Sequence, residues 1–314
     1  MKKYLVTGGT GFLGRSIVER LSKNGDYVVI LDNESRGSIK NLNIKNKNIK
    51  FIKGDIREKK VVEKACEGID TILHLAYING TENFYKKPEV VLEVAVKGMM
   101  NLLDGAIKEK VQEFFLASSS EVYNEPKLIP TPESVSLVVP DPLNPRYSYS
   151  GGKIISELLA IHNSKHFKRT VIFRPHNVYG PAMGFEHVIP QFIMRLKEIK
   201  DKQNLDFSIQ GDGKQTRSFI FINDFTSALM FLFNKAQNLE TYNIGTTDEI
   251  SIKKLALMIA KKMDINVNVI AGPLTNGSPQ RRCPDVTKLS KLGFLPKISL
   301  EQGLDRTIEW YIKQ

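Results

Sequence analysis

Lys3-Tyr4-Leu5-Val6-Thr7-Gly8-Gly9-Thr10-Gly11-Phe12-Leu13-Gly14, continued by Ile17, Val18 and Leu21, is the stretch that decides the fold. Lys3 to Thr7 is a short apolar run, and the apolar residues after Gly14 recur on one helical face, so the order is strand, glycine turn, helix. Gly8, Gly11 and Gly14 keep a three-residue spacing that differs from the commoner G-x-G-x-x-G but serves the same physics. Gly8 permits the tight turn, Gly11 lets a pyrophosphate approach the backbone, and Gly14 lets the helix pack closely on the strand.

Outward from that turn, Tyr27 to Leu31 is a second strand ending at Asp32, eighteen residues beyond Gly14. A carboxylate there accepts both ribose hydroxyls of an adenosine and repels a 2′-phosphate, which points to NAD; Arg36 nearby leaves NADP open. A third strand, Asn48 to Lys53, ends in Gly54-Asp55-Ile56, where Asp55 is placed to hydrogen-bond adenine. Asp70 to Leu75, Val111 to Ala117 and Arg169 to Arg174 supply further strands, with amphipathic helices between them. That alternation predicts an α/β fold built on a doubly wound parallel sheet.

The chain has 314 residues, 41% hydrophobic and 25% charged, enough for one large domain or two intimate ones and too ordered in composition for a disordered segment. Its net charge of +11 attracts anions, but the densest basic runs, such as Lys45-Asn46-Lys47 and Lys261-Lys262, are short and lack interleaved aromatics, so no nucleic-acid partner is expected. Cys66 and Cys283 are far apart, without a neighbouring His or Cys at zinc spacing, so neither a disulfide framework nor a metal site is expected. No run of eighteen apolar residues and no signal-peptide core occurs, so the expectation is a cytoplasmic protein with no membrane partner.

Two tyrosines precede a lysine by four residues, Tyr123 with Lys127 and Tyr149 with Lys153. Pro126 disfavours a helix across the first pair, whereas the second opens the helical stretch Ser150 to His166, where i and i+4 share a face. A tyrosine beside an ammonium and a positive nicotinamide ring is shifted toward phenolate, able to take a hydroxyl proton while hydride leaves the same carbon. A third group to hold the substrate oxygen is available in Ser118-Ser119-Ser120, after the strand that ends at Ala117.

Taken together, Thr7 to Gly14, Leu31-Asp32-Asn33, Gly54-Asp55, His74-Leu75-Ala76, Ser118-Ser119-Ser120-Glu121-Val122-Tyr123, Tyr149 with Lys153, and Arg174-Pro175-His176-Asn177-Val178-Tyr179-Gly180-Pro181 resemble the extended short-chain dehydrogenase/reductase superfamily, specifically its NAD-dependent nucleotide-sugar epimerases and dehydratases. Gln215 to Asp224 and Arg281 to Asp285 resemble late-chain motifs of the same family. The resemblance implies a Rossmann-type sheet with a smaller C-terminal substrate-binding α/β domain. It implies that Ser119, Tyr149 and Lys153 form the catalytic set and that NAD lies against Gly8, Gly11, Phe12, Leu13, Gly14, Asp32, Asn33, Asp55, Ile56, Leu75, Ala76, Tyr149 and Lys153. Ser119, Asn177, Arg217 and Arg282 then match positions that contact a nucleotide-diphosphate sugar, with Phe185 to Gln191, including Val188, lining the nucleotide. Permanently charged guanidinium groups at 217 and 282 also suit a diphosphate on their own chemistry, although Arg281 is an alternative to Arg282.

Members of this family oxidise the sugar C4 hydroxyl and differ in the fate of the resulting ketone. Dehydratases carry Asp then Glu after the catalytic hydroxyl; this chain has Ser120 then Glu121, which disfavours dehydration and leaves Glu121 either an auxiliary base or a structural residue. The expected activity is 4-epimerisation of a nucleotide hexose for surface-polysaccharide precursors, with a net C4 dehydrogenase or a uronate decarboxylase as alternatives and a non-catalytic NAD- or RNA-binding regulator as the alternative of another class. Asn124 stands where the family has Gly, and Gly151-Gly152 where Ala or Ser is usual; the missing side chains would make room beside the nicotinamide for a bulky sugar or a second small substrate. The loop Tyr77 to Lys87 is expected to face the sugar. The domain expectation is an NAD-binding part, 1–174, with 217–245 returning to it, and a nucleotide-sugar part, 175–216 and 246–314. The helical patterns Val90 to Lys110 and Ser150 to His166 resemble the pair that forms the family's dimer interface, so a homodimer or higher homo-oligomer is expected.

Overall fold

The computed structural model describes residues 1–42, 47–200, 205–273 and 279–314; Lys45 and Asn46 of the first basic run lie outside the described residues. In chain order its elements begin with β1 (Lys3–Thr7), α1 (Phe12–Lys23), β2 (Tyr27–Asp32), β3 (Ile49–Lys53), α2 (Lys59–Cys66) and β4 (Thr71–His74). There follow α3 (Thr81–Lys86), α4 (Pro88–Glu93), α5 (Met99–Lys108), β5 (Glu113–Ala117), α6 (Tyr147–Asn163) and β6 (Arg169–Pro175). The later elements are β7 (Val178–Tyr179), α7 (Val188–Ile199), β8 (Asp206–Gln210), β9 (Thr216–Ser218), β10 (Ile220–Phe221), α8 (Ile222–Lys235) and β11 (Glu240–Ile244). The last are β12 (Glu249–Ser251), α9 (Ile252–Lys262), β13 (Asn268–Gly272), β14 (Arg281–Arg282), α10 (Thr287–Lys291) and α11 (Leu300–Ile312).

Two compact units result. The first comprises Met1–Asn124, Ser136–Pro175 and Leu229–Tyr242; the second comprises Glu125–Val135, His176–Ala228 and Asn243–Gln314. The returning segment is therefore shorter than the 217–245 expected from sequence. Arg217 lies in β9, which hydrogen-bonds to β12 and β14 and so belongs with the second unit. Residues 125–135 join that unit as well, where the Thr131 amide donates to the Cys283 carbonyl at 2.9 Å.

The first unit is built on a seven-stranded sheet in the order β11-β6-β5-β4-β1-β2-β3. The pairings from β3 through β6 are all parallel, with Tyr4 in register with Val28 on one side and Thr71 on the other. Strands buried on both faces need continuous apolar runs, and Leu5, Val6, Ile30, Leu31, Phe114 and Leu116 are fully buried. The order reverses between β1 and β4, and in open parallel sheets that reversal opens a crevice at the carboxyl ends of the strands. α2 and α5 cover one face through Val62, Leu102, Leu103 and Ala106. A single π turn, Val94–Gly98, joins α4 to α5, a distortion common beside functional sites.

The second unit carries a three-stranded sheet, β12-β9-β14, and two parallel pairs, β10-β7 and β13-β8. Its Cys283 and the first unit's Cys66 are both buried and unpaired, and burial pushes their thiols up to about 11 and about 12. Among the described residues no helix is long and apolar enough to cross a membrane, and no three His, Cys, Asp or Glu side chains converge as a metal site.

Candidate active site

The glycine turn between β1 and α1 forms a cradle that larger residues would fill. Gly8 has φ +71°, and a Cβ on it would stand 2.7 Å from the Ala76 amide nitrogen; one on Gly14 would stand 2.2 Å from the Gly8 carbonyl oxygen. Phe12 and Leu13 open the first turn of α1, whose N-cap is Gly11, so backbone N–H groups face the space an anion would enter. At the end of β2 the Asp32 carboxylate accepts from the Thr10 amide through Oδ2 at 3.0 Å and from the Glu34 amide through Oδ1 at 2.7 Å. A carboxylate has about four lone-pair positions, so each oxygen keeps one for a ribose hydroxyl. These groups fit NAD.

Asp55 is differently placed. Oδ1 accepts from the Arg57 amide and Nε at 2.9 and 3.0 Å, and Oδ2 from Arg57 Nη2 and Asn33 Nδ2 at 2.9 and 3.1 Å. The Arg57 contacts hold its carboxyl below the usual range. All four acceptor positions are used, so adenine would contact Asp55 only by displacing Asn33 or Arg57. The Ile56 side chain is core, 5% exposed, and its carbonyl accepts from Asn101 Nδ2 at 3.0 Å, which leaves the Ile56 amide as the group for a cofactor. Leu75 and Ala76 follow β4, and both amides donate to Thr7 Oγ1 at 3.2 Å; the same oxygen lies 2.7 Å from His74 Nδ1. Burial pushes His74 down to about 3, so it serves as a neutral hydrogen-bonding wedge that fixes the loop.

Tyr149 and Lys153 stand one turn apart on α6, and both are buried. Lys153 Nζ donates to the Ala117 carbonyl at 2.6 Å, tying α6 to the end of β5 two residues before Ser119. Burial pushes Lys153 down to about 7, with Glu157, one turn further along α6, opposing the shift. Ser119 is the partly open member of its triplet; Ser118 and Ser120 are each 4% exposed. Ser119 Oγ accepts from the Glu121 amide at 3.2 Å, which turns the chain into a short 3-10 helix and leaves the hydroxyl proton to point elsewhere. Glu121 faces Arg146 at 3.8 Å.

The second unit brings Arg217 and Arg282 together. They are register partners on the parallel strands β9 and β14, so their side chains leave the same face of the sheet. Arg281 projects to the other face, where Glu249 takes it with Nε and Nη2 contacts of 2.6 to 3.0 Å, which removes it as an alternative to Arg282. Arg217 also donates through Nη1 to the Thr216 carbonyl at 2.7 Å. In the same unit an open pocket is lined by Asn177, Met183, His187, Val188, Ile189 and Phe219, joining two of the substrate positions read from sequence. Asn177 sits at φ +39° and donates through Nδ2 to the Ser218 carbonyl at 2.8 Å, next to Arg217.

The sequence profile of the NAD dependent epimerase/dehydratase family matches residues 4–245. The chain belongs to that family. Relatives include Arabidopsis thaliana UDP-glucuronic acid decarboxylase 2, 34% identical over 308 residues that make up 96% of this chain and 66% of that one. A second is Bacillus cytotoxicus UDP-N-acetyl-alpha-D-glucosaminuronate decarboxylase, 33% identical over 99% of this chain and 98% of the relative. Among solved structures, UDP-glucose 4-epimerase from Thermotoga maritima with UDP-glucose superimposes with a TM-score of 0.88 at 28% identity, covering 99% of both chains. The protein is thus an enzyme of the extended short-chain dehydrogenase/reductase type, a Rossmann-type α/β fold with NAD as its cofactor.

The structure also explains one departure from the family pattern and changes two local expectations. Asn124 sits at φ +48° and ψ −107°, a backbone conformation that glycine adopts readily and other residues rarely. Gly152 makes no room for substrate: a Cβ there would lie 2.3 Å from Tyr77 Oη and 2.8 Å from Ala95 Cβ, so protein already fills the space. Tyr77 and Phe84, from the loop expected to face sugar, instead pack on the Tyr149 ring at centroid distances of 5.0 and 4.7 Å. Sequence reasoning passed over Tyr77 and Glu157. Glu157 was detectable as the carboxylate four residues after Lys153 on one helix face; Tyr77 was detectable only through the unusual smallness of residue 152.

Proposed function

We propose that the protein oxidises the C4 hydroxyl of a nucleotide-diphosphate hexose and returns the hydride to the same carbon, with net 4-epimerisation. The observation that carries this reading is the anchoring of Lys153 to the Ala117 carbonyl at 2.6 Å, which joins the helix of Tyr149 to the strand that delivers Ser119. Bound NAD supplies the hydride acceptor. Ser119 Oγ holds the substrate C4 oxygen, and Tyr149 takes its proton as the C4–H bond breaks. Lys153 supplies the positive charge that favours the tyrosine phenolate, and its proton can be shared readily near neutral pH because burial holds it at about 7. Arg217 and Arg282 pair with the diphosphate, and the pocket at Asn177 and Val188 takes the nucleoside side of the substrate. Epimerisation needs no acid–base pair beyond the tyrosine.

A second reading, uronate decarboxylation after the same C4 oxidation, is supported by the decarboxylase relatives at 34% and 33% identity and by Ser-Glu at 120 and 121. A 4-keto uronate is a β-keto acid: its C5–C6 bond breaks to release carbon dioxide, the resulting enolate takes a proton at C5 from water, and the C4 ketone is then reduced by the returned hydride, so the same first-unit residues would serve. Incubation with NAD and separate UDP-hexose and UDP-uronate substrates, with products resolved by NMR, tests both. A C4 epimer supports the first reading and a UDP-pentose the second; accumulating NADH with a released 4-keto sugar would overturn both. We also assign the exposed apolar side chains Leu92, Met100, Ile155, Leu158 and Ile161 of the first unit to a homodimer interface.

A further inference from the structure

Around Tyr149 and Lys153 lies an arrangement that the family chemistry does not require. Lys153 Nζ sits 3.9 Å from the centroid of the Tyr77 ring, so the ammonium faces an aromatic surface on one side and the Ala117 carbonyl on another. The Tyr77 ring meets Tyr149 edge to face at 80°, and Tyr77 Oη donates to the Tyr149 carbonyl at 3.3 Å. Phe84 covers Tyr149 from α3, with Val91 and Ile78 completing the apolar cluster. Tyr77 reaches this position because residue 152 has no side chain. The π turn contributes through Ala95, whose carbonyl accepts from Ser156 Oγ at 3.3 Å, so α6 is seated closely along Gly152 and Ser156.

We infer that Tyr77, seated in the space Gly152 leaves, is a positioning residue that fixes Lys153 and sets the pH at which the Tyr149–Lys153 couple works. The ring has two opposed effects: its face stabilises the ammonium, and its bulk keeps water away. Removing the bulk admits water, and hydration favours the charged amine. The other groups facing Lys153 are Glu157 on α6, itself paired with Arg174, the neutral His74 at the end of β4, and Tyr149. Tyr149 also packs on the Tyr77 ring, so a shift on replacement reports on that ring together with its seating of Tyr149. The inference rests on the roles given above to Tyr149 and Lys153.

The test reads Lys153 directly in the full chain, without any sugar nucleotide. With lysine labelled by 13C, the Cε resonance of Lys153, identified by its loss in Lys153→Met, is titrated by NMR. The native midpoint is expected near 7. Tyr77→Ala is expected to raise it by about one unit or more, whereas Tyr77→Phe, which keeps the ring, holds it within about half a unit. Gly152→Ala deletes no buried group yet forces Tyr77 aside, and is expected to raise the midpoint in the same direction; adding Tyr77→Phe removes the Oη in conflict and brings it part of the way back. Gly151→Ala, whose Cβ would meet only Val139 at 3.6 Å, is the control and leaves the titration unchanged. A midpoint that stays at the native value in Gly152→Ala overturns the inference, even should Tyr77→Ala fail to fold. Failure of the native chain to convert any sugar nucleotide would instead overturn the proposed function, with the titration still readable.

Discussion

Glu157→Leu tests the packing beneath the catalytic strand end. In the native chain Glu157 Oε1 accepts from Arg174 Nε at 2.9 Å and also from Ser118 Oγ, while Oε2 accepts from Arg174 Nη2 at 2.6 Å. Arg174 Nη1 donates to the Tyr123 hydroxyl at 2.8 Å, and the two paired side chains are only 5% and 4% exposed. Leucine removes both carboxylate oxygens and leaves the buried guanidinium without its counter-charge, which costs about 3–5 kcal/mol. At a urea slope of about 3 kcal/mol/M, the unfolding midpoint followed by circular dichroism falls by about 1–2 M. Glu157→Leu combined with Arg174→Met removes both charges, and apolar replacement of a buried pair is roughly neutral, so the double variant recovers to within about 1–3 kcal/mol, the remainder being the lost partners of the Ser118 and Tyr123 hydroxyls. A single variant that loses less than about 1 kcal/mol, or a double variant no more stable than the single one, would refute this account of the network.

Three further outcomes are expected. Arg217→Met and Arg282→Met each raise the KM for the sugar nucleotide at least about tenfold, since each removes a charged contact worth about 1.5–3 kcal/mol, while NAD affinity by fluorescence titration stays unchanged; an unchanged KM in both would remove the paired-arginine anion site. Lys153 is neutral in the folded chain above about 7 but binds a proton when unfolded up to its ordinary value of 10.5, so the unfolded state holds more protons in that window and stability rises with pH. Native chain compared with Lys153→Met in urea therefore gains roughly 1.4 kcal/mol per pH unit between about 7.5 and 9.5, and parallel curves would contradict the burial of the amine. For the proposed homodimer, Leu158→Glu, at a position 50% exposed on α6, shifts the chain toward monomer by analytical ultracentrifugation, and an unchanged sedimentation coefficient, or a native chain that sediments as a monomer, would overturn the assignment of this face.

Much of this arrangement was legible in the residues because it follows local rules. The glycines at 8 and 14 announce a close backbone approach, the apolar strands announce burial on both faces, and the spacing of Tyr149 and Lys153 announces a shared helix face. The pairing of Arg217 with Arg282 was nameable only as two separate residues, because a β9–β14 register joins positions sixty-five residues apart and no local period records it. The saturation of Asp55 by Arg57 and Asn33 is likewise a matter of side-chain geometry. Gly152 was visible as an oddity but misread as room for substrate, since sequence shows a missing side chain without showing that Tyr77 and Ala95 occupy its place. The returning segment was drawn too long because strand pairing at β9, rather than sequence order, assigns Arg217 to its unit.

Oxidation at C4 with return of the hydride is tested most directly by following a deuterium at C4. UDP-glucose and UDP-glucuronic acid carrying deuterium at C4 are each incubated with the protein and NAD, and the product is read by mass spectrometry and NMR. Oxidation at C4 with return of the same hydride predicts one label retained at C4 of the product, whether a C4 epimer or a pentose, and no conversion by Tyr149→Phe. A product that has lost the deuterium to solvent, or full turnover by Tyr149→Phe, would contradict it.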